Sequence, residues 1–342
     1  MSSPAADMTV HSVTGAVVAR RIAIAVAVLA LIALPDVITQ VYYVNIASQI
    51  LLYAVFALGL NVLVGYAGLV SLGHAGLFGV AAYVDAYLLA AGHSHAVAIV
   101  AALAATLTAT AGFAALSLRA TGISFIMITL ALGEIIWGLA YRWISITGGD
   151  NGISVSTRPA PFGLSLDSPS AFYDATLAVF LIALVSVAIF VRSPFGAALA
   201  GTRDQPRRMN ALGFHVWMIR FWACMFSGLL TAIAGILFVY YTEFISPQAL
   251  ALTASAEALL MVISGGAGTL LGPVVGAALV VIVKNVVSAY ITRWNFMLGA
   301  IFVAIVVFMP EGLVPGAVRL VRSAWRAAGR RKPAAAIARP PQ

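Results

Sequence analysis

Charge is scarce in this sequence. Lysine, arginine, aspartate and glutamate make up 9% of its 342 residues, against about 25% in a soluble globular domain. Long stretches carry no charge at all, which places the chain in the membrane class. Lysine is almost missing: Lys284 and Lys332 are the two in the chain, and neither follows a glycine. A G-x-x-x-x-G-K-[ST] phosphate loop depends on that lysine, so nucleotide hydrolysis through such a loop is excluded. Cysteine occurs once, as Cys224, which rules out an intrachain disulfide and a cysteine-based metal site. His93 and His95 form the one close histidine pair, with no further ligands beside them. No nucleophile stands in a pattern with a base. No metal, no cofactor and no catalytic residue is therefore expected.

What the chain has in abundance is apolar surface, at 62% of residues. Apolar windows of about 20 residues mark helical spans. They fall near 22–44, 46–64, 69–91, 96–118, 122–143, 175–191, 220–241, 256–270, 273–291 and 295–311. This predicts an all-α polytopic membrane protein of about ten transmembrane helices. "SGGAGTLLGP" (264–273) interrupts the eighth and ninth windows, so one or two helices are expected to be interrupted or re-entrant. Arg20 and Arg21 precede "IAIAVAVLALIAL", in the order of a signal peptide. Apolar character resumes past Pro35-Asp36 without an A-x-A-like cleavage site, so this segment is read as a retained span.

With this count of spans, fifteen Lys/Arg residues fall on one side and three (Arg142, Arg158, Arg293) on the other, with Lys284 inside a span. The positive-inside rule then puts both termini in the cytoplasm. The net charge of +8 is thus mainly a topology signal and not a sign of a nucleic-acid partner. The expected organisation is a cytoplasmic tail (1–21), a transmembrane domain (22–313) and a basic cytoplasmic tail (314–342) that reads as largely disordered. Two connections are long: an outer one, 144–174, holding "TGGDNG", and an inner one, 192–219, "RSPFGAALAGTRDQPRRMNALGFHVWM".

Glycine is concentrated in "GYAGLVSLGHAGLFG" (65–79), which holds five. Gly65, Gly68, Ser71 and Gly73 have two readings. One is an unwound segment beside a solute path, since irregular backbone at membrane depth must be buried in protein or line a watery path. The other is a close-packing seam and tight turn between two spans. His74 is read either as a path residue or as a satisfied structural histidine. "GGAGTLLGPVVGAA" (265–278), with Gly265, Gly266 and Gly268, repeats the G-x-A-G pattern and hints at internal duplication, a pointer to a translocation region. Two acids fall inside spans, Glu134 and Asp85. Each is either a proton or ion relay or a protonated or hydrogen-bonded structural acid.

Several motifs together carry a family resemblance. "LNVLVGYAGLVSLGHAGLFGVAAY" (60–83) is similar to the L-N-x-x-x-G-x-A-G-x-x-S-L-G-H-A signature of LivM-type permease subunits of branched-chain amino acid ABC transporters. "RATGISFIMITLALGEII" (119–136), "TGGDNGI" (147–153), "SPQALALTASAEALLMVISGGAGTLLGPVVGAAL" (246–279) and "FMPEGL" (308–313) resemble further segments of that family, in order, over about 45–313. The resemblance implies one permease half in a bacterial inner membrane, embedded in the lipid bilayer. It would pair with a LivH-like permease, rest on two cytoplasmic ABC ATPases and receive branched-chain amino acids from a periplasmic binding protein. The same architecture serves urea, amides, other amino acids or aromatic acids. A stand-alone secondary carrier or channel is the alternative of a different class.

The inner connection resembles a coupling helix that seats in an ATPase groove. Ser193, Pro194, Phe195, Gly196, Arg203, Asp204, Ala211, Leu212 and Gly213 match the family's segment, with Ala197 for an arginine and Gln205-Pro206 for Asn-Glu. The resemblance implies Arg203 and Asp204 at the ATPase contact. The plainer reading of Arg203, Arg207 and Arg208 is positive-inside charge. Pro206 starts a helix or breaks one. In the outer connection Gly148, Gly149, Asp150 and Gly152 form either a plain turn or a contact for the binding protein or the path's mouth.

Overall fold

The computed structural model describes residues 29–37, 40–155, 166, 168–290, 294–309 and 311–319. The apolar runs are helical because lipid offers no partner to a free backbone N–H or C=O. In chain order these are α1 (Val41–Asn61), α2 (His74–Ala90), α3 (His95–Ser117), α4 (Ile123–Arg142), α5 (Pro169–Arg192), α6 (Pro194–Asp204), α7 (Pro206–Ala211), α8 (Val216–Thr242), α9 (Leu252–Gly265), α10 (Gly272–Tyr290) and α11 (Trp294–Phe308). A π-helical turn, Val62–Ala67, extends α1. Among the described residues five helices are long and apolar enough to cross a membrane: α1 with its π turn, α3, α4, α5 and α8. α2, α9 and the first part of α10 are shorter apolar helices. The chain is a multi-pass helical membrane protein.

Two helices form the centre. α1 packs against α5, α8, α9 and α10, and α8 packs against α1, α2 and α3. α1 is buried almost without interruption from Leu51 to Asn61, so it is apolar around its whole circumference, as a helix enclosed on all sides must be. α3, α4 and α5 are peripheral. Their exposed Val100, Ile135, Leu139, Ile182, Val185 and Ile189 form the apolar outside.

Close approach of the central helices depends on small residues. A Cβ on Gly235 of α8 would run into the Phe78 carbonyl of α2, and one on Gly228 would run into Thr110 of α3. Successive helices alternate in direction, so the helix ends gather into two groups. One is the Arg203 end. The other is the Asp150 end, where β1 (Ile153–Ser154) pairs antiparallel with β2 (Phe244–Ile245).

The structure moves several expected boundaries. The window at 22–44 is not one helix: Gln40 is extended (φ −80°, ψ 115°) and α1 starts afresh at Val41. The window at 69–91 becomes helical only at His74. α5 begins at Pro169, six residues before 175, because Ser168 caps it by accepting from the Ala171 N–H and Pro169 suits the first turn. The connection expected at 192–219 is mostly helix, α6 and α7. Pro206 ends the first and opens the second: it pushes Gln205 out of helical geometry (φ −145°, ψ 73°) and stands at the first position of α7. The 256–291 region is two helices, α9 and α10, with the break at the glycines between them. The expected tail 1–21 and residues 320–342 of the expected tail 314–342 lie outside the described residues, as do 156–165 of the expected outer connection.

Packing at Gly228 and the open space at Gly112, where an added Cβ would meet no atom within 4 Å beyond its own stretch of helix, give opposite expectations. Gly228→Val is expected to destabilise by about 1–3 kcal/mol through overpacking. Gly112→Ala is expected to be neutral or to stabilise by up to about 1 kcal/mol through helix propensity. Thermal unfolding of the detergent-solubilised protein measures both, and equal midpoints for the two variants would contradict the α3–α8 contact.

Candidate functional site

Residues 69–73 are irregular backbone within a helical bundle, so each buried donor needs a partner. The Leu69 N–H donates to the Leu63 carbonyl (2.9 Å). The Leu72 N–H reaches Thr129 Oγ1 on α4 (3.3 Å), and the Ala75 N–H, in the first turn of α2, reaches Ser255 Oγ on α9 (3.0 Å). Gly73 lets this happen: a Cβ there would strike the Thr129 carbonyl. His74 locks the segment to the central helices. Ser227 on α8 donates to the Gly59 carbonyl of α1 at 2.6 Å, which leaves its oxygen free to accept from His74 Nε2–H at 2.9 Å. Nδ1 then accepts from the Ser71 hydroxyl at 3.0 Å. Ser71 and His74 are both buried, and both ring nitrogens are satisfied by protein.

A second junction starts two residues further along α1, toward the Arg203 end. Asn61 donates from Nδ2 to the Thr269 carbonyl and accepts at Oδ1 from the Gly268 N–H, each at 2.9 Å. One side chain thus joins the end of α1 to the break between α9 and α10. The two G-x-A-G segments meet here: a Cβ on Gly65 would collide with the Gly268 backbone and with Asn61. Gly266, in turn, packs against Gly312 and Pro315, and Gly265 against Gly272.

The π turn ends at Gly68, which is left-handed (φ 69°). Helix ends leave carbonyls without intrahelical donors. Arg203 of α6 supplies one from its guanidinium, to the Gly65 carbonyl at 2.7 Å, as basic side chains do at helix C-termini. Its Nε also pairs with Asp204 at 2.9 Å, but both side chains are largely exposed, at 43% and 63%. Such a surface pair contributes about 0–1 kcal/mol, so the bond to Gly65 is the more informative one. Arg220 of α8 donates to the Thr202 carbonyl at 2.6 Å, and Phe195 stacks obliquely on Phe190 of α5. Gly196 is buried against the Val191 carbonyl. Pro194, Leu212 and Phe214 are exposed, as is Gly213 (φ 85°).

At the Asp150 end, Gly148, Gly149 and Gly152 all have positive φ and turn the chain into β1. Asp150 accepts from Gln248 Nε2 at 3.2 Å. Gln248 stands at the rim of a cavity of about 320 Å³ whose walls come from α1, α2, α8, α9 and α10. Tyr53, Phe56, Phe78 and Phe238 give it an aromatic lining, and Glu257 and Lys284 give it an ion pair.

The structure therefore gathers Gly65, Gly68, Gly268 and Arg203 at one junction, and Ser71, Gly73 and His74 at a second. Glu134 belongs to neither. It is half-buried on α4 and makes no hydrogen bond or ion pair among the described residues. Asp85 is fully buried in α2, with neither carboxylate oxygen hydrogen-bonded. Sequence reasoning passed over Asn61 and the Glu257–Lys284 pair. A usable signal was present: an acid and a base in consecutive apolar segments, each needing a partner.

Loss of Ser227 breaks the bracket twice, at Gly59 and at His74. Ser227→Ala is expected to destabilise by about 1–3 kcal/mol, the penalty for stranding a buried polar group. The thermal midpoint of the purified protein measures it, and an unchanged midpoint would contradict this reading of His74.

Residues 42–306 match the family described as branched-chain amino acid transport system / permease component. The chain is 30% identical over 298 residues to the high-affinity branched-chain amino acid transport system permease protein LivM of Escherichia coli (strain K12), covering 80% of this chain and 70% of that protein. The protein of the same name from Salmonella typhimurium is 30% identical over 299 residues, with the same coverage. The autoinducer 2 import system permease protein LsrC of Yersinia enterocolitica is 29% identical over 154 residues, 42% of this chain and 43% of that protein. No solved structure matches the chain. A multi-pass helical bundle with its irregular segments bonded at depth accords with the match, and the chain belongs to the family of permease components of branched-chain amino acid transport systems.

Proposed function

We propose that the chain forms half of the translocation path of an ABC importer for branched-chain amino acids in a bacterial inner membrane. It works with a LivH-like permease, two cytoplasmic ATPases and a periplasmic binding protein. About ten spans, with both termini and the Arg203 end in the cytoplasm, make up the architecture. The arginine excess supports that orientation, and the 30% identity to LivM proteins supports the solute class.

The observation that carries the coupling role is the bond from Arg203 to the Gly65 carbonyl. α6 and α7 are the segment offered to the ATPases. The exposed Leu212 and Phe214 supply an apolar tip for a groove. Arg203 faces the permease itself, so its role is to transmit movement of α6 into the π turn below α1. Gly65 in turn touches Gly268, so displacement of α6 reaches both glycine segments together. This is rigid-body gating of packed helices. Asp150, with Gly148, Gly149 and Gly152, forms the periplasmic mouth that meets the loaded binding protein.

Arg203→Ala removes a charge-assisted bond, and such bonds carry about 1.5–3 kcal/mol. Uptake by the reconstituted complex is expected to fall about tenfold or more while ATPase activity persists. Arg207→Ala, on the exposed side of α7, is expected to leave both within about twofold. Uptake at the unaltered level in Arg203→Ala would overturn the coupling role.

A further inference from the structure

The cavity beside Glu257 and Lys284 has features that the packing of the bundle does not require. Lys284 Nζ stands 3.2 Å from Oε2 and 3.4 Å from Oε1 of Glu257. Charge-assisted N–H···O bonds settle nearer 2.7–2.9 Å, so the pair is close but not tight. Neither side chain is sealed: 35% of Lys284 and 20% of Glu257 remain accessible. Both line the same cavity, with Thr242 and Gln248 toward the Asp150 end and Phe56, Phe78, Phe238 and Met261 forming the apolar wall. At about 320 Å³, the space is at the small end of ligand pockets, a size for a single small solute.

The charges select among solutes. The pair is neutral as a whole and lies in a partly buried, low-dielectric place. A neutral amide or urea entering there gains nothing from either charge. An aromatic or aliphatic acid satisfies Lys284 but strands Glu257 beside a second carboxylate. An amine does the reverse. A zwitterion satisfies both ends: one ion pair opens and two form, and the site stays neutral whether empty or filled. The aromatic wall then receives an apolar side chain.

We propose that this cavity is a binding site for a zwitterionic α-amino acid with an apolar side chain, with Glu257 receiving its ammonium and Lys284 its carboxylate. The inference rests on the import reading above and adds the residues that read the solute inside this subunit. The cavity lies between the Asp150 mouth and the His74 bracket. Along α1 the order is Tyr53 and Phe56 at the cavity, Gly59 at the bracket, and Asn61 and Gly65 at the junction with Arg203.

Protection of an introduced thiol tests this directly. Thr253 is exposed, lines the cavity and stands one helical turn before Glu257. The native Cys224 is buried, so N-ethylmaleimide incorporation into this chain, separated from its partners after labelling of the assembled permease–ATPase complex, reports on Thr253→Cys. Labelling is expected to slow about tenfold at an L-leucine concentration ten times its Kd. Isocaproate, which lacks the ammonium, and isoamylamine, which lacks the carboxylate, are expected not to protect at the same concentration. Protection by leucine is expected to disappear in Thr253→Cys combined with Glu257→Gln or with Lys284→Met. If those variants fail to assemble, the two analogues still decide the matter on the intact pair. No protection by leucine, or equal protection by either analogue, overturns the site. ATP-driven leucine uptake by the same complex without thiol protection overturns the cavity site and leaves the import reading standing. Leucine protection without ATP-driven uptake supports the site and overturns the import reading.

Discussion

Lipid gives the backbone no hydrogen-bond partner, and the irregular parts of this chain are arranged around that constraint. α1 loses its regular ladder at Val62, and the chain does not return to a helix until His74. In between, the Leu72 N–H is met by Thr129 of α4 and the Gly65 carbonyl by Arg203 of α6; just beyond, Ser255 of α9 accepts from the Ala75 N–H, and Asn61 serves Thr269 and Gly268 in the break between α9 and α10. Each partner comes from a different element, so satisfying the backbone also ties those elements together. The polar residues at depth are few, and most of them act on backbone atoms.

This explains why the glycines are where they are. At Gly65 and Gly268 two backbones approach so closely that a side chain on Gly65 would displace Asn61 from its bonds. Gly68 takes a left-handed conformation that ends the π turn and leaves room for the Arg203 side chain to cross it. The cost of glycine in a helix, about 1 kcal/mol relative to alanine, is offset by contacts that no larger residue permits. The resulting junction is small, polar and fully specified.

Much of the fold was legible beforehand. Apolar windows located the helices, and "SGGAGTLLGP" marked the break between α9 and α10. Pro206 announced a helix boundary, and the structure puts α7 there. Windows failed where a local cap outweighed hydropathy: Ser168 and Pro169 start α5 earlier than its apolar core suggests. The glycine motifs were legible as close-packing or unwound segments, but not as partners of each other. Glu257 was passed over because it sits near the start of its apolar run; Lys284 was legible as a base inside a span, but nothing along the chain paired it with Glu257.

Composition and periodicity by themselves determined that this chain crosses a membrane as helices, carries no phosphate loop, and holds two glycine segments suited either to unwinding or to close packing. Those are properties of residues near each other along the chain, where solvent, lipid and backbone geometry act locally. Only the tertiary structure decided that Asn61 bridges to Gly268, that Ser227 orients His74, that Arg203 turns inward to Gly65, and that Glu257 pairs with Lys284 in the wall of a cavity. Each of those pairs joins segments far apart along the chain. Which faces meet depends on how small residues let the helices approach, and one-dimensional spacing does not encode that.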